Sequence, residues 1–262
     1  MRQPTFYRNA LPKFIPDKEA SILVVGGHHN DYAVMEACGF TNVTISNLSE
    51  FGRKADSDYA YDIQDAEALT YEDNSFDYVV THASLHHCRS PHRGLIEMYR
   101  VARKGAIFFE SRDSLVMRLV VSFGLSAEYE TSAVMRSGFD KGGVSNSPVP
   151  NYVYRWTERE VEKTINTFDP CAPHEFVYAY ERAVTIRRGL RGLLTRVFKL
   201  VYVPLTMVFP GQCNLFACMV KKPDVSKHHF PWLNYDQGEF SYNREWTKVH
   251  NRAEPVRQRV KV

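Results

Sequence analysis

Residues 65–110 read DAEALTYEDNSFDYVVTHASLHHCRSPHRGLIEMYRVARKGAIFFE. Asp65, Ala66 and Glu67 make a short acidic turn, and residues 76–81 (FDYVVT) are an apolar, β-branched run of strand length. Leu85, His86 and His87 follow the end of that run. Pro91 opens a helical pattern in which Leu95, Met98, Tyr99 and Ala102 recur at spacings of three and four. Residues 106–109 are a second apolar run, ending on Glu110. Strand, helix and strand in this order predict a βαβ unit with two parallel, neighbouring strands.

Four features of this stretch resemble the class I S-adenosylmethionine (SAM) methyltransferases, in particular the small-molecule type 11 group. They are Asp65-Ala66-Glu67, the 73–77 segment DNSFD, Leu85-His86-His87, and Glu97-Met98 with Arg100-Val101. The resemblance implies an α/β Rossmann-like sheet in the order 3-2-1-4-5-7-6, strand 7 antiparallel, with helices on both faces. It implies SAM as cofactor and transfer of its methyl group, with oxygen as the expected acceptor atom and nitrogen or carbon left open.

Composition fits this class. The chain has 262 residues, 44% of them hydrophobic, enough for one α/β domain with additions. A net charge of +3 is too small to argue for nucleic acid. The five cysteines, at 38, 88, 171, 213 and 218, lack metal or disulfide spacing and fit a reducing compartment. The first 18 residues lack the apolar centre of a signal peptide, and no run of about 18 apolar residues exists. A cytoplasmic protein is expected, its oligomeric state left open. There are no internal repeats.

Residues 1–20 hold three prolines and little periodicity, which predicts an irregular arm over the domain. Residues 21–26 (SILVVG) are a buried first strand, and the 27–31 turn (GHHND) leads into a helix that Gly39 stops. Strand, glycine turn and helix make a nucleotide site, because glycine lets a ligand approach the backbone and the helix start offers N–H groups. The resembled family has an acid and then G-x-G-x-G here; this chain has Val24, then Gly26, His28 and Asn30. Gly26, Gly27 and His28 are therefore the expected cofactor contacts in an altered turn.

Asn47 ends the second strand (42–47), where the family has an acid that accepts from the ribose hydroxyls. An amide oxygen can still accept, without the charge-assisted bond. The third strand (59–64) runs into Asp65, and the family's pattern gives Asp65 the adenine amino group and Ala66 a ring nitrogen through its backbone. His82 to His87 stand at the carboxyl end of the fourth strand, the ligand edge of an open α/β sheet, so His82 is expected to line the cofactor site. Some O-methyltransferases of this class pair the first histidine of L-H-H with a carboxylate ending strand five. Here these are His86, as general base, and Glu110, which would orient it; the plain alternative pairs Glu110 with Arg112. His28, His29, His86, His87 and Cys88 lie in two loops without ligand spacing, so no metal is expected.

Residues 114–125 read as a helix with Leu115, Leu119, Val120 and Phe123 on its apolar face. Residues 126–154 are rich in Gly, Ser and Asn and predict a lid or substrate loop. Thr157 and Glu160 form a capping box before a helix, and 175–180 and 214–221 are the last two strands. The insertion 182–211 gathers Ile186, Leu190, Leu193, Leu194, Val197 and Val201 on one side, away from its arginines, before an apolar run broken by Pro204. That pattern suits a membrane surface over 182–209, or a helix pair packed on the domain. The expected division is a methyltransferase domain over 1–222 and an aromatic-containing tail over 223–262. The acceptor reads as a small molecule or glycan. Two rivals stand beside this: a methyltransferase-like binding module without catalysis, and a dinucleotide oxidoreductase, whose G-x-G-x-x-G and strand-two acid are missing.

Overall fold

The computed structural model describes residues 3–184 and 190–250. Seven strands form the main sheet: β1 (Ile22–Val25), β2 (Val43–Asn47), β3 (Ala60–Ile63), β4 (Phe76–His82), β5 (Ala102–Ser111), β6 (Glu175–Glu181) and β7 (Leu215–Lys221). Their order is 3-2-1-4-5-7-6, with β1 to β5 parallel and β7 antiparallel to both β5 and β6. Strand order reverses between β1 and β4, which puts the ligand crevice at their carboxyl ends.

Side chains alternate across a strand, and the two cores follow that period. Ile22, Val24, Ile45, Val80, Ile107 and Phe109 face one layer, covered by α1 (Gln3–Phe14) and α2 (His29–Cys38). Leu23, Val25, Val79, Ala106, Phe108 and Phe216 face the other, covered by α3 (Pro91–Val101) and α6 (Glu158–Phe168). Gly39 stops α2 in the left-handed conformation at φ 73°. Thr157 and Glu160 make both bonds of the expected capping box at the start of α6.

The expected irregular arm is instead the helix α1. Tyr7, Ala10, Leu11, Phe14 and Ile15, at helical spacing, are buried on the sheet. Two of the prolines that hid it are harmless. Pro4 sits in the first turn, where an N–H has no partner anyway. Pro12 removes the bond to the Arg8 carbonyl, and the Cys38 thiol donates to that oxygen instead, at 3.5 Å.

Two other expectations change. The helix α4 (Leu115–Ser122) exists, but Leu115, Leu119 and Phe123 face solvent and Met117 is its buried residue. The run said to be broken by Pro204 is one helix, α7 (Leu190–Val208), with Pro204 inside it on the exposed side. Ile186, Arg187 and Arg188 lie outside the described residues. The 126–154 segment holds a short helix, α5 (Thr131–Arg136). The tail folds in part: strands β8 (Leu233–Asp236) and β9 (Glu239–Tyr242) make a hairpin, followed by α8 (Arg244–His250). No helix among the described residues is long and apolar enough to cross a membrane.

Trp156 ties the 126–157 segment to the sheet. It is fully buried against Phe108 and His92, and its backbone bonds Ser111 and Asp113 at the end of β5. Trp156→Ala is expected to cost about 3–5 kcal/mol of stability, read as a lower denaturant midpoint with an unchanged slope.

Candidate functional site

The glycine turn is locked by its neighbours. Gly26 has φ +68°, and a side-chain Cβ there would stand 2.6 Å from the Ser84 side chain. A Cβ on Gly27 would stand 2.6 Å from the Ile45 methyl. Asn47 Nδ2 donates to the Gly27 carbonyl at 2.9 Å, and its Oδ1 accepts from the Leu48 amide at 2.7 Å. The amide oxygen thus has capacity to accept a second hydrogen bond. His28 and Asp31 cap the start of α2 reciprocally, the His28 N–H donating to Asp31 at 2.8 Å. This explains why the turn survives without its second and third glycines. Burial raises the Asp31 carboxyl to about 7, against the pull of the His28 bond.

Past the end of β3, Asp65 is exposed, with one oxygen accepting from the Glu67 amide at 2.9 Å and the other without a bond among the described residues. Ala66 packs at the edge of the α3-side core. The rest of the motif positions backbone. Glu67 accepts from the Arg89 and Ser90 amides at 2.8 and 2.9 Å, fixing the chain that enters α3. Arg100 and Glu97 hold the 69–73 segment through the Leu69 amide, the Leu69 and Tyr71 carbonyls and Asp73. The donor and acceptor set of these two turns fits SAM, with a neutral amide where a carboxylate would hold the ribose.

Glu110 ends β5 inside the protein. It accepts from the Leu85 amide at 2.8 Å and meets Nδ1 of His86 at 2.7 Å. Arg112, the plain alternative partner, is held by Glu158 at 2.7 and 2.9 Å instead. Before this pair the chain turns through Ala83, in the left-handed region at φ 53°, with its amide tied to the Phe109 carbonyl. A non-glycine residue there carries strain of about 1–2 kcal/mol, a common mark of a functional turn.

Sequence spacing gave no sign of two further partners. Glu130 approaches Nε2 of His86 at 3.3 Å and Nε2 of His87 at 3.7 Å. Asn151 donates to the His86 carbonyl at 3.1 Å and accepts from the Glu130 amide at 2.9 Å. Both come from the 126–154 segment. Burial alone would push the His86 pKa down; Glu110 and then Glu130 outweigh it and raise it to about 10. His86 Nε2 is therefore protonated at neutral pH, and the expected ready base is instead an imidazolium between two carboxylates. His87 stays neutral because burial and the His86 charge lower its pKa.

His86, His87 and Glu130 place donor atoms within 4.8 Å of one another, a grouping that spacing within either histidine loop could not show. In this arrangement the cation between the carboxylates is the His86 proton. His82 does not join the group. It shares the strand face of Val80, so its ring lies on the α1 side, stacked on Tyr7 at 4.8 Å.

A family model described as "Methyltransferase domain" matches residues 30–109. No curated protein matches the chain. Among solved structures, a chain of the complex between the Haloferax volcanii Trm112 methyltransferase activator and the putative methyltransferase is 14% identical. It superposes at TM-score 0.52 over 85% of this chain and 91% of its own. The YcgJ protein from Bacillus subtilis is 11% identical, at TM-score 0.51 over 84% and 99%. The [4+2]-cyclase SpnF is 12% identical, at TM-score 0.50 over 83% and 80%. At these identities the likeness is one of fold, and a cyclase among them shows that the fold does not fix the reaction.

Proposed function

Because this chain is a class I SAM-dependent methyltransferase, we propose that it methylates an oxygen of a small-molecule, sugar or lipid-linked glycan acceptor. It would work in the cytoplasm, with peripheral membrane contact through residues 182–209. The observation that carries the oxygen assignment is the buried His86–Glu110 pair, 2.7 Å apart at the carboxyl edge of β4 and β5. A hydroxyl acceptor has a proton to lose, and this pair is built to hold one.

The cofactor supplies an electrophilic methyl group when bound. Gly26 and Gly27 would admit it close to the backbone, beside His28 and His82. Asn47 would accept from the ribose, Asp65 from the adenine amino group, and the Ala66 amide would meet a ring nitrogen. Glu110 has both oxygens occupied, so it fixes the tautomer: Nδ1–H faces the carboxylate and Nε2 faces the acceptor side. Nε2 can take the acceptor proton only once it has passed its own to Glu130 or to water, and the departure of Glu130 would favour the neutral ring. Glu130 sits on the 126–154 segment, so an acceptor that displaces this segment would free the base as it enters.

Isothermal calorimetry with SAM and its demethylated product tests the cofactor assignments. Wild-type protein is expected to bind both. Asp65→Ala should weaken binding by about 1–3 kcal/mol, the worth of a hydrogen bond to a charged acceptor. Transfer of labelled methyl from SAM to hydroxylated small molecules, sugars and lipid-linked glycans then identifies the acceptor. Transfer confined to amines would overturn the oxygen assignment.

A further inference from the structure

Over the side chains described, the helix α7 leaves an apolar stripe on its outer side. At about 100° per residue, positions 197, 200, 201, 204 and 208 fall on one side, and all five face solvent, with Leu200 76% and Val208 70% exposed. On the opposite side Tyr202 and Thr206 are each 2% exposed, and the Tyr202 hydroxyl donates to the Asn214 side chain at 3.2 Å. An ordinary surface helix buries its apolar stripe and wets its polar one. Here Tyr202, stacked on Phe198 at 4.9 Å, and Thr206 go inward, and Val197, Leu200, Val201 and Val208 stay wet.

The turn after α7 touches the start of α4. Gln212, just past α7, receives bonds from Ser114 and from the Val116 amide at the start of α4. The outward residues of α4 are Leu115, Leu119 and Phe123, the last 75% exposed. Exposed large apolar residues gathered on two helices joined at one turn mark a candidate binding face. Both helices are rooted at the carboxyl edge of the sheet. Arg112 bonds the Gly211 carbonyl, and Phe216 is the register partner of Glu110.

Charge selects the occupant. Residues 182–209 contain five arginines and one lysine and no acidic residue. Arg196 and Lys199 are the basic residues of α7 whose side chains are described, and a second copy docking by the same helix would bring these like charges together. An anionic lipid surface instead attracts the basic residues while its acyl boundary takes the apolar stripe. We infer that α4 and α7 together dock this enzyme onto anionic membrane, and that its acceptor is an amphiphile held in that membrane. The first half deepens the membrane contact proposed above for residues 182–209, and the second half rests on the methyltransferase reading.

The test is flotation of the full chain with vesicles of phosphatidylcholine alone or with 30% phosphatidylglycerol (~30% being a typical anionic fraction for screening near-surface charge), at low and high salt. Wild-type protein is expected to float with the anionic vesicles at low salt, and less at high salt, since the Debye length shrinks. The double variant Leu200→Asp, Val201→Asp should lose at least about tenfold in bound fraction, because two charges enter the apolar stripe. It should keep SAM affinity and circular dichroism, because both residues are on the surface. Wild-type protein left in the pellet, equal flotation of the variant, or a stable dimer that the same two substitutions dissociate would each overturn the docking. If docking holds and labelled methyl passes only to water-soluble acceptors, the amphiphile assignment falls alone. Calorimetry with SAM, read without lipid, reports the methyltransferase reading separately.

Discussion

His86→Ala is expected to lower methyl transfer by about 10²- to 10⁴-fold, the usual worth of a positioned base, while SAM affinity changes little. The ring has its Nδ1 fixed on Glu110 and turns Nε2 toward the 126–154 segment, so in the proposed mechanism it would act on the acceptor and not on the cofactor. Alanine also leaves Glu110, 2% exposed, with the Leu85 amide as its remaining partner. Breaking a buried pair from one side costs about 3–5 kcal/mol, and lost activity could then report lost fold. His86→Gln separates the two effects, since its amide can donate to Glu110 but cannot take up a proton at neutral pH. The glutamine variant should melt near wild type, bind SAM by calorimetry as wild type does, and still lose turnover to the same extent as alanine. Full activity in His86→Gln would remove the base from the mechanism.

The pairing behind this result came from the family resemblance, and the βαβ unit made it geometrically possible. Adjacent parallel strands end side by side, so a histidine just past β4 and a carboxylate ending β5 must come close. Strand order came through the resemblance, and the capping box at Thr157 through four residues of pattern. What stayed hidden depended on contacts distant in sequence or on exceptions to a rule. Prolines argued against α1, but one lies in a first turn and the other has its orphan carbonyl met by Cys38. Apolar spacing gave the helix α4 and put Val197 and Val201 of α7 on one side, yet spacing says which residues share a face and not which way that face points; Ile186, Leu190, Leu193 and Leu194 of the same stripe lie outside the described side chains. Glu130 and Asn151 lie in a segment without periodicity, and only folding brings them to His86. Their arrival changes the chemistry: a lone histidine would titrate near its usual value, whereas this one is held charged.

Glu130 is therefore the residue whose replacement should move the pH dependence most. An opposite charge within about 4–6 Å shifts a pKa by about 1–3 units, and Glu130 stands 3.3 Å from Nε2. Glu130→Gln keeps the shape and removes the charge, so the His86 pKa should fall from about 10 by roughly that amount. Imidazole nitrogen shifts followed by NMR across pH 6–11 (roughly the span between the free and the shifted value) would read it directly. The stability linkage has a definite sign. A histidine pKa raised on folding gives stability that is fully present below its unfolded value, near 6.5, and is lost as pH rises through about 10. The wild-type protein should therefore lose stability over that alkaline window, and the variant should lose less, over a window ending at lower pH. Activity moves in the opposite direction. If Nε2 must be neutral to accept a proton, the rise of turnover with pH should begin lower in Glu130→Gln than in wild type, wherever the acceptor has not already displaced Glu130. An unchanged His86 titration in the variant would mean that Glu110 alone holds the proton. The 126–154 segment would then have no hold on the base.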